Sequence, residues 1–118
     1  MSYDIRLKDP KTRQTIRFDG PHQLRGGTYE AGGCSEAWLN VTYNYTKHLT
    51  RIFGAKGIGT FYGKTGKASI PILREAISKM KGDPDGNYWA ATEGNTKKAL
   101  QDLLVLATMA PHGVWEGD

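Results

Sequence analysis

The chain has 118 residues, a single cysteine, 16 Lys plus Arg against 12 Asp plus Glu, a formal net charge of +4 and a pI of about 9.2. That length suits one domain, which buries roughly two-thirds of its unfolded surface and needs no metal or disulfide to fold. A lone Cys34 excludes an internal disulfide, no apolar run approaches a membrane span and no signal peptide precedes Met1-Ser2-Tyr3-Asp4, so the expectation is a cytoplasmic protein without membrane attachment.

Tyr3 to Lys8 alternates apolar Tyr3, Ile5 and Leu7 with Asp4, Arg6 and Lys8, and Gln14 to Phe18 alternates again. Asp9-Pro10-Lys11-Thr12 between them has the residues of a type I turn, which predicts a hairpin with one wet, basic face. Gly26-Gly27-Thr28-Tyr29 and Gly32-Gly33 bracket a short segment expected to be a third strand. Ala37 to Tyr43 reads as a strand, or a strand running into the next helix. Three helical stripes follow. Tyr45, His48, Leu49 and Ile52 form one, ended by Gly54. Leu73, Ala76, Ile77 and Met80 form another, with Pro71 in its first turn. Leu100, Leu103, Leu104 and Ala107 form the last, with Thr92 as N-cap and Pro111 beyond its end. The tail Gly113 to Asp118 is too short for an element of its own, and Trp115 is expected to dock it. The fold class is α+β: an antiparallel hairpin or small sheet packed against about three helices, in one domain over residues 1–118.

Gly57 to Ser69, GIGTFYGKTGKAS, has the look of a phosphate loop, but the count fails. A Walker loop needs four residues between its two glycines. Counting back from Gly63-Lys64-Thr65 puts that first glycine at position 58, which is Ile58. A looser role remains, with loop N–H groups, Lys64 and Lys67 offered to an anion. His22, His48 and His112 have no second ligand at metal spacing, so no metal or cofactor is expected. Cys34 would need His22, His48 or a helix N-terminus to make a thiolate nucleophile. Arg6, Lys8, Arg13 and Arg17 could track phosphates, yet no helix carries a basic recognition stripe, and a solvated face accounts for them better than nucleic acid does.

One theme recurs at loop positions. Arg25-Gly26-Gly27-Thr28-Tyr29, Trp38 with Asn40, Tyr43 and Asn44, Phe61-Tyr62-Gly63-Lys64-Thr65, and Asn87-Tyr88-Trp89 with Thr92 to Asn95 each join an aromatic ring to short polar side chains. Rings stack on bases, Asn and Thr read polar edges, and Arg, Lys and loop N–H groups hold phosphates. Against this, Gly and Asn also make turns, and Trp and Tyr also anchor loops to a core.

The stretches PHQLRGGTY (residues 21–29), EAWLNVTYNY (36–45), YWAATEGN (88–95) and the closing GVWEGD resemble a group of small bacteriophage and prophage proteins, over nearly the whole chain. The resemblance implies a phage accessory protein in the host cytoplasm that disarms host defence by stoichiometric binding, and it carries over no catalytic residues. The combined expectation is a non-enzymatic sponge for a nucleotide-derived immune signal. Arg25, Lys64 and Lys67 would face phosphate, with Gly26 and Gly27 lending N–H groups. Tyr29, Trp38, Tyr62 and Trp89 would stack, and Asn40, Asn44, Thr65 and Asn95 would read polar edges. The alternatives are an inhibitor of a host defence protein such as a CRISPR nuclease, and a small enzyme cleaving such a signal. A homo-oligomer sharing its site between subunits also fits so short a chain.

Overall fold

In the computed structural model, which describes residues 1–28 and 31–118, strand β1 (Ser2–Lys8) is the middle of a three-stranded antiparallel sheet. Its alternation is realised as read: Ile5 and Leu7 are fully buried while Asp4, Arg6 and Lys8 face outward. β4 (Trp38–Thr42) lies along one edge, with Tyr3 opposite Val41 and Ile5 opposite Leu39. β5 (Val114–Glu116) lies along the other, with Leu7 opposite Trp115. The tail is therefore a strand, contrary to expectation. Three residues suffice because Trp115 supplies a large buried ring and β1 a ready ladder of partners.

The hairpin is also corrected. The turn forms, with the Asp9 carboxylate accepting from the N–H groups of Lys11 and Thr12 at 2.8 and 3.0 Å. Pairing then stops after a bridge between Lys8 and Thr15. Both edges of β1 are already taken by β4 and β5. The second strand, β2 (Arg17–His22), instead pairs with β3 (Cys34–Glu36) in a separate two-stranded sheet. The expected third strand falls partly on Tyr29 and Glu30, which lie outside the described residues. The wet face carries less free charge than the sequence promised, because Glu116 of β5 bridges Arg6 at 2.8 Å and Lys8 at 2.6 Å.

Thr42 caps a 3-10 turn (Tyr43–Tyr45) that feeds directly into helix α1 (Thr46–Phe53), so β4 does run into a helix. Gly54 ends α1 at φ 91°, in the left-handed region where a side chain is disfavoured. Helix α2 (Gly66–Ser78) starts earlier than expected, capped by Thr65, which leaves Pro71 inside the helix rather than in its first turn. Helix α3 (Glu93–Met109) is capped by Thr92 as read, and packs along α2. Leu73, Leu100, Leu103, Leu106 and Tyr45 close over Ile5, Leu7, Leu39, Val41 and Trp115 in one core. Among the described residues no helix is long and apolar enough to cross a membrane.

Candidate ligand groove

After β2 the chain runs through Gln23, Leu24 and Arg25, and this short strap has a cavity on each side. The smaller, about 280 Å³, is lined by His22, Gly33, Cys34 and Trp38 among others. The larger, about 560 Å³, is a groove between the strap, the loop Pro84–Trp89 and the first half of α3. That volume lies in the range of small-molecule sites.

The loop that forms the far wall is held by hydrogen bonds at Asp85, Asn87, Tyr88 and Trp89. Asn95 accepts from the Asp85 N–H at 2.7 Å and donates from Nδ2 to the carbonyls of Asn87 and Ala90 at 2.9 Å. Asn87 Oδ1 accepts from the Trp89 N–H. Asn44 Nδ2 donates to the Trp89 carbonyl at 2.8 Å, and the Tyr45 hydroxyl donates to that of Tyr88. The Tyr88 hydroxyl donates to the Asn40 carbonyl at 3.2 Å and accepts from the Thr42 N–H at 3.1 Å, tying the loop to β4. Burial pushes the Tyr88 and Tyr45 phenols above their ordinary pKa, so both stay neutral donors. Gly94 is required at the start of α3, where any Cβ would collide with the Asp83 carbonyl.

The product of this bracing is an indole turned to solvent. Trp89 is 49% exposed, with its ring edge-on to Tyr88 at 5.0 Å. Gly27 lies against it so closely that a Cβ there would stand 2.6 Å from the ring. Asn40, buried in β4, holds the glycine segment: its carbonyl accepts from the Gly27 N–H and its Oδ1 from the Thr28 N–H at 3.1 Å, while Nδ2 donates to Ser2 and Asp4. Gly26 has no room for a side chain beside the Asn40 carbonyl.

The charged residues lining the groove are Arg25, Asp85, Lys98 and Asp102, with Gln23, Asn87 and Asn95 as its amides. Asp102 is buried on α3 and paired with Lys98 one turn before it. Desolvation raises the carboxyl's pKa, and the Lys98 ammonium partly opposes that shift.

The thirteen residues singled out from the sequence separate into groups. Arg25, Trp89 and Asn95 line the groove, and Trp38 and Arg25 line the smaller cavity. Asn40, Asn44 and Asn95 spend their amides on the protein's own backbone and neighbouring side chains, as do the N–H group of Gly27 and the close-packed Gly26, so they support the site rather than read a ligand edge. Tyr29 lies outside the described residues. Tyr62, Lys64, Thr65 and Lys67 belong elsewhere. The N–H groups of Gly63, Gly66 and Lys67 donate to the carbonyls of Trp115, Gly113 and Pro111, and that of Lys64 to Phe61. Thr65 Oγ1 accepts from the Ala68 N–H. With those donors occupied, the glycine-rich stretch is a helix start stitched to β5 and not an anion cradle.

Lys98 and Asp102 escaped the sequence reading. The signal was an acid set among the buried positions Ala99, Leu103 and Leu106 of α3. The groups weighed for catalysis are engaged by backbone. His22 contacts the Glu36 carbonyl through Nε2 at 2.7 Å and accepts from the Leu24 N–H on Nδ1, which is the pattern of a neutral imidazole. Cys34 Sγ contacts only Glu36 backbone among the described residues, and His48 Nε2 meets the Ala91 carbonyl at 3.0 Å. Among the described residues no group of three or more His, Cys, Asp or Glu side chains is placed to hold a metal ion.

Comparison with known proteins adds no relative: no family model, no curated protein and no solved structure matches the chain.

Proposed function

We propose that this protein binds a nucleotide-derived small molecule in the groove without transforming it, and that it serves a phage in the host cytoplasm as a counter-defence protein that sequesters an immune signal. The observation that carries the binding half is Trp89. An indole half in water gains little for folding, yet its backbone and flanks are held by Asn44, Asn87, Gly27 and Tyr88. A ring presented that way, beside a groove lined by Arg25 and Lys98 and by Asp85 and Asp102, suits a ligand with a flat face and polar, charged edges. The phage and counter-defence half rests on the sequence resemblance. Binding is favoured over cleavage because the Cys34, His22 and His48 side chains are committed to backbone partners.

The test is a thermal-shift screen of the pure protein against linear and cyclic nucleotides. A ligand at a hundred times its dissociation constant adds about 2.7 kcal/mol. In a domain of this size that raises the melting temperature by roughly 10 °C. Such a shift, with the compound recovered intact, supports sequestration. A cleaved compound moves the reading to an enzyme. A flat screen removes the nucleotide reading and leaves the protein-inhibitor one.

A further inference from the structure

Asp102 has a property that folding does not explain. It is 3% exposed, lines the groove, and among the described residues receives a hydrogen bond from one donor, Lys98 Nζ, on Oδ1. A carboxylate offers about four acceptor positions, so most of its capacity is unused. Lysine four residues before the acid is the weaker order for a helical ion pair. A buried charge pair is moreover often replaceable by neutral residues at no loss of stability. What remains is an acceptor set into the groove wall, with a cation beside it.

We infer that Asp102 determines the specificity of the groove, selecting a heterocycle with two adjacent N–H donors on one edge, as guanine has, over adenine. The inference rests on the nucleotide reading above. Guanine presents N1–H and N2–H side by side to the two oxygens of a carboxylate. Adenine presents one donor and the N1 lone pair, which meets the carboxylate as acceptor against acceptor. Discrimination therefore comes from an attraction for one base and a repulsion of the other. A bidentate pair of this kind is worth roughly 10- to 100-fold between bases. Trp89 and Arg25 line the same groove, a ring to stack on the base and a cation for the phosphate.

Calorimetric titration of the intact protein with the 5′-monophosphates of guanosine, adenosine and xanthosine tests this. The expected result is GMP bound at least about 10-fold more tightly than AMP. Asp102→Asn, which puts an amide donor in place of one acceptor, should weaken GMP and improve XMP, whose C2 carries a carbonyl where guanine has its amino group. Equal affinities for GMP and AMP in the natural protein overturn the inference and leave the nucleotide reading standing. So does an Asp102→Asn variant that is folded by circular dichroism and keeps the GMP preference. Absence of binding by all three nucleotides overturns both. Should the variant fail to fold, the GMP, AMP and XMP affinities of the natural protein decide on their own.

Discussion

The indole N–H of Trp115 donates to the Ser69 hydroxyl at 2.7 Å, with both side chains buried. This bond joins the C-terminal strand to α2, and Ser69 passes the chain on by donating to the Gly66 carbonyl. Ser69→Ala leaves a buried indole donor unpaired, which costs about 1–3 kcal/mol. Chemical denaturation should show a midpoint shift of that size with unchanged slope. A loss well below that range would mean that water replaces the hydroxyl and that the tail is held by packing alone.

Asn95 and Trp89 stand in the same loop region and should behave oppositely. Asn95→Ala removes the acceptor for Asp85 and the donor for Asn87 and Ala90, so stability should fall by roughly 2–4 kcal/mol. Trp89→Ala trims a half-exposed ring and should cost within about 1 kcal/mol. Loss of base stacking should at the same time weaken nucleotide binding by about 1–3 kcal/mol. Thermal melts paired with titration of each variant separate the two. If Trp89→Ala binds as tightly as the natural protein, the groove is not where the ligand sits.

Glu116 sets an acid limit. Its hydrogen bonds to Lys8 and Arg6 hold the carboxyl down to about 2, against about 4.5 when the chain is unfolded. A carboxyl depressed in the folded state stabilises fully above its unfolded pKa and loses that contribution as pH falls through the folded one. Melting temperature should therefore decline between about pH 4.5 and pH 2, and Glu116→Gln should flatten that part of the profile by lowering its neutral part, the two profiles converging in acid. A variant whose acid profile overlays the natural one would show that Lys8 and Arg6 find other partners.

Tyr62 carries the reverse liability. Its hydroxyl is buried against Gly117 with no hydrogen-bond partner among the described residues, and burial pushes its pKa up. Tyr62→Phe deletes an unsatisfied polar atom and keeps the ring packed against Phe61 at 5.7 Å. Stability should hold or rise by about 1 kcal/mol. A clear loss in equilibrium unfolding would reveal a partner for the hydroxyl, such as an ordered water.

Local signals in the sequence were sufficient for the elements they govern. The alternation around Ile5 and Leu7, the glycine at 54 and the Thr92 cap each act within a few residues, and β1, the end of α1 and the start of α3 follow them. The α+β class follows from the same patterns, because three apolar helical stripes must be buried against one sheet face. Partner choice is different in kind. Gln14 to Phe18 has the pattern of a strand that should pair with β1, yet β4 and a three-residue β5 from the far end of the chain occupy both edges. Likewise nothing local tells whether an asparagine amide meets a ligand or a carbonyl. Asn40, Asn44 and Asn95 find Thr28, Trp89 and the 85–90 loop only once β4, α1 and α3 are packed together. Asp102 joins the groove wall for the same reason: α3 buries it, and only the strap at Arg25 and the loop at Trp89 turn that buried carboxylate into part of a site. The sequence by itself thus determined helices, caps and fold class, which depend on neighbours along the chain. Strand partners and the division between supporting and ligand-facing side chains were decided by tertiary packing, which depends on residues dozens of positions away.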